Sequence, residues 1–215
     1  MSGHRTELMP AVAKTTESEI VAAARRLVES RGRDAFSMND VALAVGVRTP
    51  SLYGRFVDRG ALVDAIELDL WLELGRRLAV DGGERSPVAK LTAQANAYRK
   101  FAKSNPEGYA LLYRRDAGRS EAGTAARGAA VATSLGPLAA LVGEKDALAA
   151  ARVLTPFLHG FVSMELAGAF RLGGGLDEAF AHGVAAILKG LKGAPKRKTS
   201  SDAPKPKPVR SRSKR

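Results

Sequence analysis

Residues 37–56 read SMNDVALAVGVRTPSLYGRF, two short helical patterns on either side of a tight turn. Ser37 is a favourable N-cap, and Asp40 stands three residues on, where a capping-box acid reaches back to the cap. Met38, Val41, Ala42 and Val45 recur at helical spacing and predict a buried stripe. Gly46 follows at the place where a helix needs a residue tolerant of positive φ in order to stop. The second pattern opens at Thr49-Pro50: Thr49 is expected to cap, and Pro50 to take the first helical position, where its missing N–H costs nothing. Leu52 and Phe56, four apart, are expected to point inward with Val47. Thr49, Pro50, Ser51, Tyr53, Gly54 and Arg55 then face outward or sideways. Two short helices about a turn containing Gly make a helix-turn-helix. The competing reading is a helical hairpin buried in an all-α protein; it leaves Tyr53, Arg55 and Arg59 without a packing purpose.

Gly46-Val47, Leu52-Tyr53 and Phe56, followed by Asp58, Arg59, Ala61 and Leu62, resemble the DNA-binding domain of the TetR family of bacterial transcriptional regulators. The resemblance covers about Thr16 to Ile66 and combines spacing, capping and side-chain type. It implies that the second helix enters a major groove of double-stranded DNA. Chemistry and the matched positions together assign the side chains. Asn39 offers a bidentate amide to adenine, Arg48 suits guanine, Thr49 lies where the helix enters, and Pro50 can press on a thymine methyl. Ser37, Ser51, Tyr53, Arg55 and Arg59 suit phosphates, which fix register and carry little sequence information. Gly54 departs from the bulkier residue usual there and is expected to loosen the helix by up to about 1 kcal/mol relative to Ala.

Composition bounds the rest. A chain of 215 residues can bury a sizeable core in one or two units. With no cysteine it has neither disulfides nor cysteine-based zinc sites, which agrees with a cytoplasmic location. No long apolar leader opens the chain. The weakly polar run from Ala129 to Val142 is broken by Gly136-Pro137 and falls short of the roughly 18 apolar residues of a membrane span, so a soluble protein without membrane contact is expected. The net charge of +12 is uneven: Lys192 to Arg215 holds ten Lys or Arg against one Asp, leaving +3 for the remaining 191 residues. Its basicity therefore describes a tail more than a body.

Four segments are expected: an arm over 1–15, the helix-turn-helix domain over 16–60, a helical effector-binding and dimerisation domain over 61–191, and a basic Lys/Arg/Pro tail over 192–215. The arm either touches DNA through Arg5 and Lys14 or has no role. Thr16-Glu17-Ser18-Glu19 reads as a capping box for a first helix carrying Ile20, Ala24, Leu27 and Val28 and ending at Arg31-Gly32. Phe36 plugs the small core. Asp58 caps a long helix through Leu62, Ile66, Leu70, Trp71, Leu74 and Leu78 to Asp81-Gly82-Gly83. Trp71 belongs to the core, an interface or a pocket. Ser86-Pro87 and Asn105-Pro106-Glu107 cap two more helices. The glycines at 118 and 123 suggest a loose connection, and an Ala-rich helix interrupted at Gly136-Pro137 follows. Glu144–Phe170 and Asp177–Leu191 close the body, with Gly173-Gly174-Gly175 between them. No alternating β-branched run appears, so the fold class is all-α. The tail is too poor in apolar residues to bury a core; it serves either as a phosphate contact or as a solubilising extension.

Leu158-His159-Gly160 through Gly168, followed by a Phe-centred turn and Ile187 to Leu191, resembles the WHG-type effector domain of many TetR-family proteins, although Thr155, Pro156, Phe157 and Leu158 stand where that type carries its Trp. The resemblance implies a homodimer built on the last two helices. Gly160, Ser163, Ala167 and Gly168 are small enough for close approach, and Phe161 and Phe180 add apolar area; intramolecular core is the other reading. Tyr98, Phe101, Tyr109, Tyr113 and His159 are the candidate lining of an effector pocket, or alternatively core.

No metal-binding His spacing, nucleophile elbow or phosphate loop is present, so neither a metal, a cofactor nor catalysis is expected. The favoured function is a homodimeric regulator, most often a repressor in the family, released from a near-palindromic operator by a small-molecule effector of unknown identity. The rival is an architectural, nucleoid-type DNA binder driven by the basic tail. A helical enzyme or ligand carrier is a third class.

Overall fold

The computed structural model describes residues 15–79, 86–114 and 120–194. The arm up to residue 14, the expected end of the long helix at residues 81–83, the glycine at 118 and the tail from residue 195 lie outside the described residues. Among those described, ten helices occur and no strand.

α1 (Glu17–Arg31) begins in a complete capping box: the Glu19 N–H donates to Thr16 Oγ1 at 3.2 Å and the Thr16 N–H to the Glu19 carboxylate at 2.7 Å. α2 (Met38–Ala44) repeats the device with Ser37 and Asp40. Gly46 makes the turn with φ of 72°, a conformation disfavoured for residues bearing a Cβ. In α3 (Thr49–Tyr53) the N-cap position falls on Arg48 and not on Thr49, and it carries no side-chain cap hydrogen bond. Thr49 and Pro50 fill its first two positions, where backbone N–H groups have no intrahelical acceptor, so Pro is tolerated at the second as at the first. The Thr49 hydroxyl donates instead to Asn39 Oδ1 at 3.0 Å. Gly54 is the C-cap of α3, outside the helix, so its expected loosening of the helix interior does not arise. Leu52 and Phe56 are buried as anticipated, with Val47 packed beside the core.

α4 (Arg59–Ala79) starts where Asp58 Oδ1 accepts the Ala61 N–H at 2.8 Å. Its Leu62, Ile66, Leu70 and Leu74 are each at most 1% exposed. At about 1.5–3 kcal/mol per fully buried large side chain, this face alone anchors the domain core. α5 (Pro87–Ser104) is capped by Ser86. α6 (Pro106–Leu112), α7 (Glu121–Ala132), α8 (Leu135–Val142), α9 (Glu144–Leu166) and α10 (Leu176–Gly193) complete the body. α7 lies along α4, α8 along α9, and α5 packs against α4, α8 and α9.

Several boundaries differ from expectation, each for a local reason. Asn105 precedes α6 but makes no side-chain cap. The cap comes from α1, where the Glu29 carboxylate accepts the Glu107 N–H at 3.2 Å and the Gly108 N–H at 2.8 Å. Gly123 lies in the first turn of α7, with its N–H donating to Ser120 Oγ, so it is no loose connector. The Ala-rich stretch breaks at Thr133-Ser134 and not at Gly136-Pro137, which sit in the first turn of α8 where Pro is tolerated. α9 ends at Leu166, short of Phe170, because Gly168 turns to φ of 62°. Glu121–Val142 and Glu144–Leu166 do have the length and apolar composition of membrane spans. The first is two helices packed on α4 and α9, and the second packs on α5, α8 and α10.

Two contacts set testable limits. A Cβ on Gly108 would stand 2.6 Å from Glu29 Oε1 and 3.0 Å from Leu70 Cδ2, so it would displace the carboxylate that caps α6 and the buried Leu70 side chain. Gly108→Ala is expected to lose about 1–3 kcal/mol, read as a fall of several degrees in melting temperature. An unchanged melting temperature would mean that α6 has room to withdraw. The second contact is Glu165, which accepts from Arg99 Nε and Nη2 at 2.7 Å and from Lys103 Nζ at 2.8 Å. The Arg99 hydrogen bonds hold its carboxyl below the ordinary glutamate value of 4.5, against the opposing effect of burial. Its contribution to stability is therefore present above that value and lost as the pH falls through the depressed one. Glu165→Gln should flatten the acid decline of melting temperature; an identical acid limb in the variant would remove Glu165 from its causes.

Candidate nucleic-acid interface and internal cavity

The helix-turn-helix brings the expected base-reading residues to one exposed edge. Asn39 lies at the second position of α2, and Thr49 and Pro50 open α3 directly after Arg48. The Thr49–Asn39 hydrogen bond ties the two helices together and leaves the Asn39 amide nitrogen as a donor. Ser37, Ser51 and Tyr53 are exposed and Arg55 is half-buried, flanking that edge. The Ser37 hydroxyl is engaged with Asp40 as part of the α2 cap. Among the described residues no hydrogen bond or ion pair is seen for Arg48.

Arg59 departs from expectation because it has a packing purpose. Its Nε donates to the Phe36 carbonyl at 3.0 Å, its Nη2 donates to the Arg33 carbonyl, and its Cζ lies 4.4 Å from the centre of the Phe36 ring. The guanidinium thus closes the α1–α2 loop onto the start of α4.

In the body, the aromatic candidates separate into three groups. Tyr98 and Tyr113 line a cavity of about 50 Å³ with Trp71, Leu74, Leu78, Gln94, Ser134 and side chains of α7 and α9. Tyr109 and His159 stand behind that wall. Tyr98 Oη is 2.7 Å from both Tyr109 Oη and Tyr113 Oη, and Tyr109 Oη is 2.6 Å from His159 Nδ1. Burial raises the pKa of all three tyrosines and lowers that of His159, so the cluster is neutral near pH 7. The Tyr113 and His159 rings stack with centroids 3.9 Å apart. Phe101 is core and not pocket: it is fully buried, with Arg77 over its ring at 5.5 Å. Trp71, read as core, interface or pocket, is both buried and part of the cavity wall.

The proposed interface residues also divide. Phe180 is 1% exposed and packs with Phe157 and Phe161 inside the chain, so it belongs to the core. Phe161 joins the same ring cluster and packs against the core. Gly160 has open space where a Cβ would lie. Ser163 is half-buried beside the Tyr109 hydroxyl. Ala167 and Gly168 form the exposed end of α9 and not its face. At Gly168 a larger residue would strain the backbone, since no neighbour lies within 4 Å to be overpacked.

Three residues that join these regions were not singled out from the sequence. Arg25 of α1 donates through Nη1 to Asp69 at 2.8 Å and through Nη2 to Glu73 of α4 and to Asn105 Oδ1 at 2.5 Å. Glu29, one turn later, caps α6. The third, Gln94, is a buried amide whose position between Leu91 and Tyr98 on the apolar stripe of α5 was the available signal.

Residues 20–66 match the family model for bacterial regulatory proteins of the tetR family, and residues 91–187 match that for the tetracyclin repressor-like C-terminal domain. The chain is 31% identical over 163 residues to an uncharacterized HTH-type transcriptional regulator of Mycobacterium tuberculosis, covering 73% of this chain and 72% of that one. A Rhodococcus sp. RHA1 protein of unknown function has a similar structure, with a TM-score of 0.76 and 27% identity over 86% of this chain and 100% of that one. A TetR variant from Acinetobacter baumannii AYE, in complex with minocycline, shares the fold at a TM-score of 0.63 and 24% identity over 83% and 97% of the two chains.

Removing the brace at the α1–α2 loop should be felt as stability. Arg59→Ala leaves two carbonyls without their donors and is expected to cost about 1–3 kcal/mol, whereas Arg48→Ala should leave the melting temperature unchanged. Equal melting temperatures for the two variants would show that the Arg59 contacts contribute nothing.

Proposed function

The chain belongs to the TetR family of bacterial transcriptional regulators, and from that premise we propose that it acts as a homodimeric repressor released from a near-palindromic operator by a small molecule. The family consists of DNA-binding regulators with an effector domain and not of enzymes. The observation that carries the finer reading is the span of α4: Leu62 and Ile66 near its start are buried below the helix-turn-helix, and Trp71, Leu74 and Leu78 further along wall the cavity. One helix therefore borders both the DNA-reading head, residues 16–60, and the effector body, residues 61–191.

In this reading each head lays α3 in a major groove. Asn39, Arg48, Thr49 and Pro50 face base edges, and Ser37, Ser51, Tyr53 and Arg55 meet phosphates. Arg59 supports the loop that positions them. Two heads related by a two-fold axis require two half-sites about one helical turn apart, hence a near-palindrome. The dimer forms through α9 and α10, where Val153, Gly160 and Met164 follow at helical spacing on the outer side of α9. Exposure of 51% at Val153 and 47% at Met164 supports this face. A molecule in the cavity favours a position of α4 that no longer suits the operator, a population shift between two states. Such a regulator works in the cytoplasm.

Footprinting and binding with two variants test the assignment. Arg48→Ala should lose about 1–3 kcal/mol on the operator and relax preference at one symmetric pair of positions. Tyr53→Phe should weaken operator and random DNA by similar factors. Equal weakening of all DNA by Arg48→Ala would make Arg48 a phosphate contact. Retention of full binding by both variants would show that this edge does not meet DNA.

A further inference from the structure

The α9–α10 pair carries an apolar prominence at one end and an apolar groove at the other. At the first end α9 stops at Leu166 and the chain crosses to Leu176, turning at Gly168, Gly173 and Gly174 with φ of 62°, 78° and 91°. The crossing is held by Phe170, whose ring packs on Phe161 with centroids 5.0 Å apart. Leu172 stands out from it fully exposed, beside the exposed Met164. Single exposed leucines are ordinary, but here three large apolar side chains stand together. At the other end, Leu141 and Val142 of α8, Ala149 and Val153 of α9 and Leu191 of α10 line an open groove. Its volume of about 430 Å³ exceeds the roughly 150 Å³ in which a benzene fits, so a leucine has room there.

Each end also holds a charge that its own chain leaves unpaired. Arg171 lies between Phe170 and Leu172, and Asp146 lines the groove. Among the described residues neither side chain takes part in a hydrogen bond or an ion pair. They are too far apart to meet within one molecule: α9 from Asp146 to Leu166 spans about 30 Å at 1.5 Å per residue.

A second copy of the chain brings the two ends together. A two-fold axis crossing α9 near Gly160, where a Cβ would meet no atom within 4 Å, sets the two α9 helices antiparallel. Met164 then lies toward the partner's Val153, and the crossing of each protomer reaches the groove of the other. An axis running along α9 instead sets crossing against crossing and Arg171 against its own copy, which like-charge repulsion opposes. Taking the homodimer proposed above, we propose that the α9–α10 crossing of each protomer seats in the groove of the other. Leu172 enters beside the partner's Val153 and the partner's Leu191, and Arg171 pairs with the partner's Asp146. The seat covers an exposed leucine and supplies a counter-charge to two ions, and the two-fold axis makes two such seats in each dimer.

Sedimentation equilibrium of the full chain and its variants tests the seat, with circular dichroism to confirm the helical fold. The wild type should be dimeric at micromolar concentration. Leu172→Glu places a charge where the apolar side chain seats, and should weaken dimerisation about tenfold or more. Arg171→Asp sets acid against acid and should weaken it too, and adding Asp146→Arg should restore it with the pair reversed. Leu172→Cys, in a chain with no other cysteine, should form no disulfide-linked dimer on mild oxidation, because the two copies of residue 172 lie at opposite ends of the bundle. A monomeric wild type would overturn the homodimer and the seat with it. A wild-type dimer that Leu172→Glu and Arg171→Asp leave equally tight would overturn the seat alone. Weakening by Arg171→Asp that Asp146→Arg fails to relieve, or a Leu172→Cys dimer linked by its disulfide, would likewise overturn it. Positions 171 and 172 are exposed in the single chain, so their variants decide the matter even if Asp146→Arg does not fold.

Discussion

Arg25 holds three parts of the molecule in one place. Its guanidinium projects from α1, meets Asp69 and Glu73 on α4, and reaches Asn105 at the joint between α5 and α6. Glu29, one turn further along α1, supplies the cap that α6 lacks. The two side chains are four residues apart, so one face of α1 grips both α4 and α6. This geometry matters because the head is small. Its three helices share a compact core, and orientation relative to the body depends on what α1 and α4 touch. A guanidinium with two carboxylates and an amide is directional, and in a partly buried setting it resists sliding in a way that leucine contacts do not.

A repressor released by a ligand, as proposed above, needs two properties that pull against each other. The head must be firmly oriented to match a groove, and the orientation must respond to a small molecule some distance away. α4 reconciles them as a continuous helix from the loop brace at Arg59 to the cavity wall at Leu78. The aliphatic half of the cavity is formed largely by α4 and α5. Its opposite side is formed by Ala130 and Val131 of α7, Ser134 at the α7–α8 joint, and Leu154, Thr155 and Leu158 of α9. In the mechanism proposed above, displacement there would alter the packing of α7 along α4, and Arg25 joins α4 to α1. The shift needs only a difference in ligand affinity between two arrangements of the same packed helices.

The sequence made the head legible because its signals are local. Capping boxes at Thr16 and Ser37, the positive-φ glycine at 46 and the inward trio of Val47, Leu52 and Phe56 each depend on residues within four positions of one another. Thr49 has the chemistry of an N-cap, but Asn39 competes for its hydroxyl across the turn. Asn105 has the same chemistry, but Arg25 and the Phe101 carbonyl engage its side chain. In both cases a tertiary partner overrode a local preference. The bracing role of Arg59 is invisible in the sequence because its acceptors are backbone carbonyls 23 and 26 residues away, which no side-chain pattern reveals. The body was legible as helices but not as a site. Tyr98, Phe101 and Tyr109 all occupy apolar stripes, and only the packed structure separates the cavity wall from the core behind it. Gln94 is the polar departure from the apolar stripe of α5, a buried amide at a core position.

The most direct measurement is the separation of the two heads in the proposed dimer. The natural chain has no cysteine, so one cysteine at the exposed Val57 takes a single spin label per protomer. Distances between labels are compared for the free protein and for protein whose Trp71 emission shows the cavity to be filled. Transmission through α4 predicts a shifted distribution on filling and a return toward the free distribution when operator is added in excess. An unaltered distribution while Trp71 reports a bound molecule would contradict it, since the cavity would then be occupied without moving the heads.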